Sequence, residues 1–226
     1  MEPKKIAQRF LEMYKENKSE EIIPLITNLS KDDKEVLKKI IDVQIQIKEL
    51  GGGWPIVGKQ ITTIDEILTY SDLAINFAIQ KDAKLTAGIL NHNVASFCFP
   101  NMDEGVDNRL IDPGYQAAIN DFKLRKEIGE KIPMMWAMWL VGVSEFIKGD
   151  ILSSINTLEE LKRIALEDPQ SESLATWSDL MRIKFLIKSG EINKKDSKAE
   201  IERMESIFTK LNDDYGLSIL NEIKKM

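Results

Sequence analysis

One stretch decides the fold: it begins with Trp136-Ala137-Met138-Trp139 and ends with Phe146-Ile147-Lys148-Gly149-Asp150-Ile151. The same pattern returns forty-one residues later, where Trp177-Ser178-Asp179-Leu180 leads to Ile187-Lys188-Ser189-Gly190-Glu191-Ile192. A Trp, an apolar residue, a Gly, an acid and an Ile recur at the same offsets. A period of roughly 20 to 50 residues is typical of stacked repeat architectures. The sequence therefore predicts a repeat protein.

Outside this stretch, apolar residues recur at helical spacing in nearly every segment, as they do between Val36 and Ile47. No long segment alternates with a period of two, and no Asn-Gly or Asp-Gly hairpin signal occurs. We therefore expect helices over residues 3–17, 19–29, 32–50, 63–81, 83–99, 113–129, 132–148, 150–167, 172–189, 196–212 and 215–225. The connections are mostly short, so chain neighbours should pack antiparallel.

The predicted fold class is all-α: a right-handed superhelix, or solenoid, of antiparallel helical hairpins with about ten helices. We expect a single helical-repeat domain over residues 1–226, because helices of one style continue on both sides of the two longer loops. Within it, N-terminal helices occupy 1–50, repeat-like hairpins occupy 63–212, and a closing helix occupies 213–226.

Helix ends are legible in the sequence. Ser197-Lys198-Ala199-Glu200 fits a capping box, in which a hydroxyl and a carboxylate bind the first free amides of a helix. Asp112-Pro113 places a capping acid before a proline at the first helical position. Glycines that follow periodic segments predict helix ends at Gly129, Gly149 and Gly190.

Composition restricts the class of protein. The chain has 226 residues, 43% hydrophobic and 30% charged, which is enough to bury a core. Its net charge of -6 and its pI of about 5.1 argue against nucleic-acid binding. Two lysine pairs, Lys194-Lys195 and Lys224-Lys225, are interpreted as solvated surface, since the first lies beside Asp196 and the second in a tail.

Cys98 is the only cysteine, which excludes an intrachain disulfide and favours a reducing compartment. Charges interrupt the first residues throughout, unlike a signal peptide. The longest apolar run, from Ile132 to Val143, is about a dozen residues and is too short to span a bilayer. The sequence predicts a cytoplasmic protein without a membrane partner.

The sequence offers little catalytic chemistry. His92 is the only histidine, and its spacing from Cys98 places the two side chains on different faces of a helix. Gly51-Gly52-Gly53 lacks the Lys and Ser or Thr of a phosphate-binding loop. The acidic loop from Asn101 to Asp112 departs from calcium-loop spacing and predicts a solvated loop. We expect no catalytic residues, no metal and no cofactor, while an enzyme whose site uses only carboxylates, lysine or tyrosine remains an alternative.

The segment around Gly142 resembles a tetratricopeptide repeat, a family that pairs two antiparallel helices. The positions of its two signatures are occupied by Met138, Val141, Gly142 and Glu145, and then by Ser154 and Leu158, while Pro169 follows about three residues later than the family pattern. A second partial match consists of Asn91, Val94, Ala95 and Cys98, and the resemblance covers roughly residues 64–212. The small residue at Gly142 implies close helix approach. Generic helical hairpins without kinship to this family are the alternative.

The resemblance implies a protein that binds a protein or peptide partner along a concave face, as an adaptor or regulator. If its register holds, the predicted groove is lined by His92, Asn93, Ser96, Phe99, Trp136, Trp139, Val143, Phe146, Trp177 and Lys184. Met and Trp suit surfaces that accept varied apolar partners. The alternatives are that these residues form the core, or that a cavity near Trp136 and Trp139 binds a small apolar molecule. Formation of a homodimer is left open.

Overall fold

The structure, a computed structural model, describes residues 84–99 and 106–226 together with Ile75, Ala78, Ile79, Asp82 and Met102. The predicted helices over 3–17, 19–29 and 32–50, the Gly51-Gly52-Gly53 turn and most of the predicted helix 63–81 lie outside the described residues. The chain divides into two compact units between Val94 and Ala95. The single domain over 1–226 stays a prediction.

The described part is all-α, with seven helices and no strand. They are α1 (Lys84–Cys98), α2 (Asn108–Ile128), α3 (Lys131–Ile147), α4 (Ile151–Leu166), α5 (Glu172–Ser189), α6 (Lys198–Leu211) and α7 (Asp214–Lys225), with a short 3-10 turn over Pro169–Ser171 before α5. Apart from the start of α2, each helix lies within two residues of its predicted bounds. Within these ranges, no helix is long and apolar enough to cross a membrane.

The start of α2 corrects the sequence prediction. Asp107, not Asp112, caps the helix: its carboxylate accepts a hydrogen bond from the Arg109 backbone N–H at 2.9 Å and from the Arg109 guanidinium. Pro113 therefore lies in the second turn of the helix, where it has no backbone N–H to donate. The prediction failed because it placed this proline at the first helical position, where the missing N–H costs nothing.

The predicted helix ends at glycine are confirmed. Gly129 and Gly190 end α2 and α5 in the left-handed conformation, with φ of 83° and 78°. Gly149 also has a positive φ and connects α3 to α4. The capping box at Ser197 is wrong: Ser197 precedes α6 without a side-chain cap, and the Glu200 carboxylate instead accepts a hydrogen bond from Arg182.

Helices α3 and α5 form the centre of the packing. The eight successive residues from Trp139 to Phe146 are all buried, as are those from Leu174 to Met181. A helix that is buried around its whole circumference must be covered on every side. Chain neighbours supply the cover: α2 packs on α3, α3 on α4 and α4 on α5, while α5 also contacts α3, α6 and α7.

Gly142 lies at the close approach that the sequence predicted. A Cβ built on Gly142 would lie 2.9 Å from Cγ of Leu158 on α4. The Ser154 hydroxyl donates a 2.6 Å hydrogen bond to the Gly142 carbonyl across the same contact. The missing side chain of Gly142 therefore allows the α3 backbone to contact the side chains of Ser154 and Leu158 on α4.

Candidate functional site

The tryptophans that the repeat pattern singled out lie in one aromatic cluster. Trp136 meets Trp139 with ring centroids 5.9 Å apart, and Trp139 meets Trp177 at 5.8 Å, both edge to face. Trp177 continues the cluster to Phe208 and Tyr215, at 5.5 and 5.6 Å. Edge-to-face pairs are favoured by the ring quadrupoles. The cluster joins α3 and α5 to α6 and α7.

The polar edges of two of these tryptophans are satisfied inside the protein. The Trp139 indole N–H donates to the Trp177 carbonyl at 3.4 Å, and the Trp177 indole donates to an Asp213 carboxylate oxygen at 2.9 Å. The other Asp213 oxygen accepts from the Gly216 N–H and caps α7. Both indoles are therefore held by intramolecular partners, as buried tryptophans require.

Most of the predicted groove residues are buried. The buried ones are Phe99, Trp139, Val143, Phe146, Trp177 and Lys184, while His92, Asn93, Ser96 and Trp136 are half-buried. Trp136, Trp139 and Trp177 come together, whereas Phe146 stacks on Phe185 with ring centroids 3.8 Å apart. His92 and Asn93 belong to the unit that ends at Val94. This burial supports the alternative that the aromatic residues form the core.

Lys184, which was predicted to line the binding groove, is buried. Its side chain is only 2% exposed, and its ammonium lies 3.6 Å from a Glu222 carboxylate oxygen. This pair links α5 to α7. The Lys184 ammonium is therefore held between α5 and α7 and is not exposed to a ligand in solvent.

Asp179 is a buried carboxylate at the centre of a charge cluster whose other members reach the surface. Its side chain is 1% exposed, and its carboxylate contacts Lys162 at 2.9 Å, Arg182 at 3.6 Å and Arg203. Glu159 and Glu200 pair with Arg182 at the edge of the cluster. Three cations and three carboxylates balance, so the cluster connects α4, α5 and α6 without a net charge to offer a substrate.

Two other buried groups have perturbed acidity. Burial raises the pKa of the Cys98 thiol to about 11, which keeps it protonated and unreactive at neutral pH. Burial also raises the pKa of Glu145, with the Asp150 carboxylate adding to the effect and a hydrogen bond with Thr157 opposing it. The Glu145 Oε2 atom has no hydrogen-bond partner among the described residues.

An apolar cavity of about 370 Å³ lies where the ends of four helices converge. Its lining comes from the start of α2, the end of α3, the start of α4 and the end of α5: Val106, Asn108, Ile111, Phe146, Ile147, Gly149, Ile151, Lys188 and Ser189. Of the predicted groove residues, Phe146 is part of this lining, and the cavity is not lined by Trp136 or Trp139. Sequence reasoning missed it. The only sequence signal was the placement of Ile147 and Ile151 on either side of the Gly149 turn.

The surface beside the cavity carries exposed ion pairs. Asp112 and Lys148 each follow a lining residue in the sequence, and the Asp112 carboxylate accepts a 2.8 Å hydrogen bond from the Lys148 ammonium. The same ammonium lies 4.6 Å from the centroid of the Tyr115 ring. Arg109 pairs with Asp107 at 2.9 Å on the same stretch of chain. The hydrogen bond and the charge of Asp112 raise the pKa of Lys148, so its ammonium stays charged. An apolar centre beside charged side chains has the composition of a small interface.

No protein-family model matches the chain, and no curated protein matches it. Over the ranges that the structure describes, no group of three His, Cys, Asp or Glu side chains could hold a metal ion.

Proposed function

We propose that this protein is a non-catalytic binding protein that seats an apolar side chain of a protein or peptide partner in the end cavity lined by Phe146, Ile147 and Ile151. The observation that carries the proposal is the cavity itself, whose volume falls in the range of ligand-binding pockets. Binding energy at interfaces concentrates where an aromatic or aliphatic anchor fills such a pocket.

The tetratricopeptide-like solenoid is part of the same proposal. Two features support it. Consecutive helices pack on each other while α3 also contacts α5, as in an array of stacked hairpins. The two tryptophan-bearing helices, α3 and α5, are both followed by a glycine with positive φ. The second copy departs from the first, because Asp150 caps α4 directly whereas α6 begins only at Lys198.

The buried ionisable groups support a binding role over a catalytic one. Asp179 and Lys184 contact oppositely charged side chains on neighbouring helices, and Arg125 contacts Asp121 on its own helix, so each charge is already engaged within the protein. The alternative of a small apolar ligand is favoured by the same cavity volume, but at the helix ends and not at Trp136 and Trp139. The exposed ion pairs beside the cavity favour the peptide partner, since protein interfaces have polar rims.

Two adjacent substitutions test the proposal. Ile151→Asp places a carboxylate in the cavity at the first position of α4, where the helix dipole favours an acid. Leu152→Asp is the matched control: it makes the same change one residue on, at a side chain that is 73% exposed and outside the lining. Peptides that bind the wild-type protein are selected from a random library, and their affinities for the three proteins are measured by fluorescence polarisation.

We expect Ile151→Asp to weaken binding about thirtyfold or more, and Leu152→Asp to change it less than about threefold. Equal affinities for both variants would place the binding site elsewhere. A library that yields no binder, together with a small apolar molecule such as a fluorescent naphthalene dye bound in the wild type and lost in Ile151→Asp, would favour the small-ligand alternative.

A further inference from the structure

Two lysine pairs that are distant in the sequence meet in the structure. The Lys194 ammonium donates a 2.6 Å hydrogen bond to the Lys224 backbone carbonyl, which joins the segment before α6 to the end of α7. The sequence alone indicated two separate solvated patches. Together they form one basic surface on a protein whose net charge is -6.

This basic surface contains a cavity of about 340 Å³, which we call the lysine cavity. Its lining consists of Lys194, Lys195, Lys198, Ile201, Glu202, Glu205 and Lys224. Ile201 is buried and provides an apolar floor. A lysine side chain has an apolar stem and a charged end. The walls of the lysine cavity are therefore apolar near Ile201 and positive at the solvent edge.

The charges of the lysine cavity do not cancel. Four ammonium groups face two carboxylates: Glu205, which pairs with Lys224 at 2.5 Å, and Glu202, which pairs with Lys198 at 3.8 Å. The excess is two positive charges. At physiological ionic strength, charges farther than about 8 Å are largely screened, so the lining charges act on a bound group more strongly than distant residues do.

The position of Lys198 adds to the argument. It is the first residue of α6, and Ser197 before it makes no side-chain hydrogen bond to the first turn. The helix dipole favours an acid at this position and disfavours a lysine. The i,i+4 pair of Lys198 with the exposed Glu202 offsets this only weakly, and the same ammonium can bind an anionic group.

We propose that the lysine cavity binds an acidic peptide segment, with an apolar side chain on Ile201 and carboxylates on the surrounding ammonium groups. A free phosphate would fill only a small part of the cavity and would leave the floor at Ile201 unused. The lining lysines are point charges without the planar fork with which arginine binds phosphate in a bidentate way. This site goes beyond the proposed function, because none of its residues lines the end cavity.

The test uses the full chain and two fluorescein-labelled hexapeptides, Glu-Leu-Glu-Glu-Leu-Glu and its counterpart with Gln in place of every Glu. One variant is Lys195→Glu with Lys198→Glu. The matched control is Lys123→Glu with Lys126→Glu, which makes the same change in net charge at two exposed positions of α2. Melting curves establish that both variants fold. Affinities are measured at about 0.05 M and about 0.15 M salt, where screening differs.

We expect the acidic peptide to bind at least about tenfold more tightly than the Gln peptide, and the Lys195→Glu/Lys198→Glu variant to lose about tenfold or more of that affinity. The control should change it less than about threefold. Ile151→Asp should leave binding of the acidic peptide unchanged, which separates this site from the proposed function.

Three results would overturn the proposal. The two peptides could bind equally, which would exclude charge recognition. The two double variants could weaken binding equally, which would indicate a long-range effect of net charge. Inorganic tripolyphosphate could bind in a way that depends on Lys195 and Lys198 while the acidic peptide does not, which would make the lysine cavity a phosphate site.

Discussion

Gly142 shows how a single missing methyl group permits a helix contact. Any Cβ at this position would collide with the Leu158 side chain, whose Cγ and Cδ2 atoms would lie at 2.9 and 3.0 Å. We expect Gly142→Ala to lower the free energy of unfolding by about 1–3 kcal/mol through overpacking. Thermal and urea unfolding measure the change.

The control for this prediction is Gly149→Ala. A Cβ on Gly149 meets nothing within 4 Å, but its φ is +89°, so alanine there adds backbone strain without a collision. Leu158→Ala should partly rescue Gly142→Ala and should not rescue Gly149→Ala. A double-mutant cycle without coupling between positions 142 and 158 would contradict the steric explanation.

Glu145 makes stability depend on pH. Burial raises its pKa in the folded state, so the folded protein binds a proton more tightly than the unfolded chain does. The resulting stability is fully present below the unfolded pKa of about 4.5 and is lost as the pH rises through the folded value. We expect Glu145→Gln, which stays neutral, to melt at a higher temperature than the wild type at pH 7.

The difference between Glu145→Gln and the wild type should shrink as the pH falls towards 4, where the wild-type carboxyl becomes neutral as well. Glu160→Gln is the control, because Glu160 is exposed and Arg163 lowers its pKa, so this change should show the opposite trend with pH. A melting difference for Glu145→Gln that is constant with pH would refute the explanation.

Single residues were predictable where local geometry dictated them. The helix ends at Gly129 and Gly190 follow from backbone freedom, and the close approach at Gly142 follows from the missing side chain. The state of Glu145 could not be predicted, since its burial depends on which residues of α4 cover it. A sequence motif identifies a residue type but not the solvent access of its atoms.

At the scale of helices, the Asp179 cluster connects α4, α5 and α6. Asp179→Asn keeps the shape of the side chain but leaves Lys162, Arg182 and Arg203 without their shared carboxylate. We expect a loss of about 2–3 kcal/mol in the free energy of unfolding, because hydrogen bonds to charged groups that are buried contribute more than exposed pairs. Urea unfolding at neutral pH measures this loss.

The matched comparison is Arg163→Gln, which breaks an exposed pair on α4 with Glu160 and Glu167. That change should lower the free energy of unfolding far less than Asp179→Asn does, because solvent screens exposed ion pairs. Equal losses in the two variants would mean that the cluster around Asp179 contributes no more than a surface ion pair.

Helix positions were predictable from apolar periodicity, but helix starts were less so. Asp112-Pro113 matched the common pattern of a capping acid before a proline. The helix nevertheless begins after Asp107, because the Asp107 side chain accepts a hydrogen bond from the Arg109 amide. Likewise Glu200, which the capping box required, pairs with Arg182 on α5 instead. In both cases a competing contact decided the outcome, and such contacts depend on neighbours that a local pattern does not contain.

At the scale of the whole described unit, Trp177 is the point where α3, α5, α6 and α7 meet. Its ring contacts Trp139, Phe208 and Tyr215, and it is 5% exposed. We expect Trp177→Ala to cost about 3–5 kcal/mol of stability. Tyr215→Ala removes an exposed member of the same cluster and should cost only about 0.5–1.5 kcal/mol.

Calorimetry of both variants distinguishes the core from the groove hypothesis. If Trp177→Ala melts like the wild type, the tryptophan is a groove residue and the core interpretation is wrong. Sequence could not decide this point, because α3, against which Trp177 packs, is apolar on almost every side. Periodicity shows which residues avoid water, but a helix without a polar face does not show which neighbour covers it. The two cavities also could not be predicted, because each is formed by residues that are distant in the sequence and meet only in the folded structure.

The buried Cys98 thiol can report local unfolding of the protein around it. The thiol is buried against α2, where a Cβ on Gly114 would lie 2.6 Å from Cys98 Cβ, and its pKa is about 11. At pH 7 only about one thiol in 10⁴ is ionised while the packing is closed. Alkylating reagents therefore reach Cys98 only when local unfolding separates it from Gly114. The rate at which this cysteine is labelled, relative to a free thiol, reports the fraction of molecules in which that contact is open, without any engineered probe.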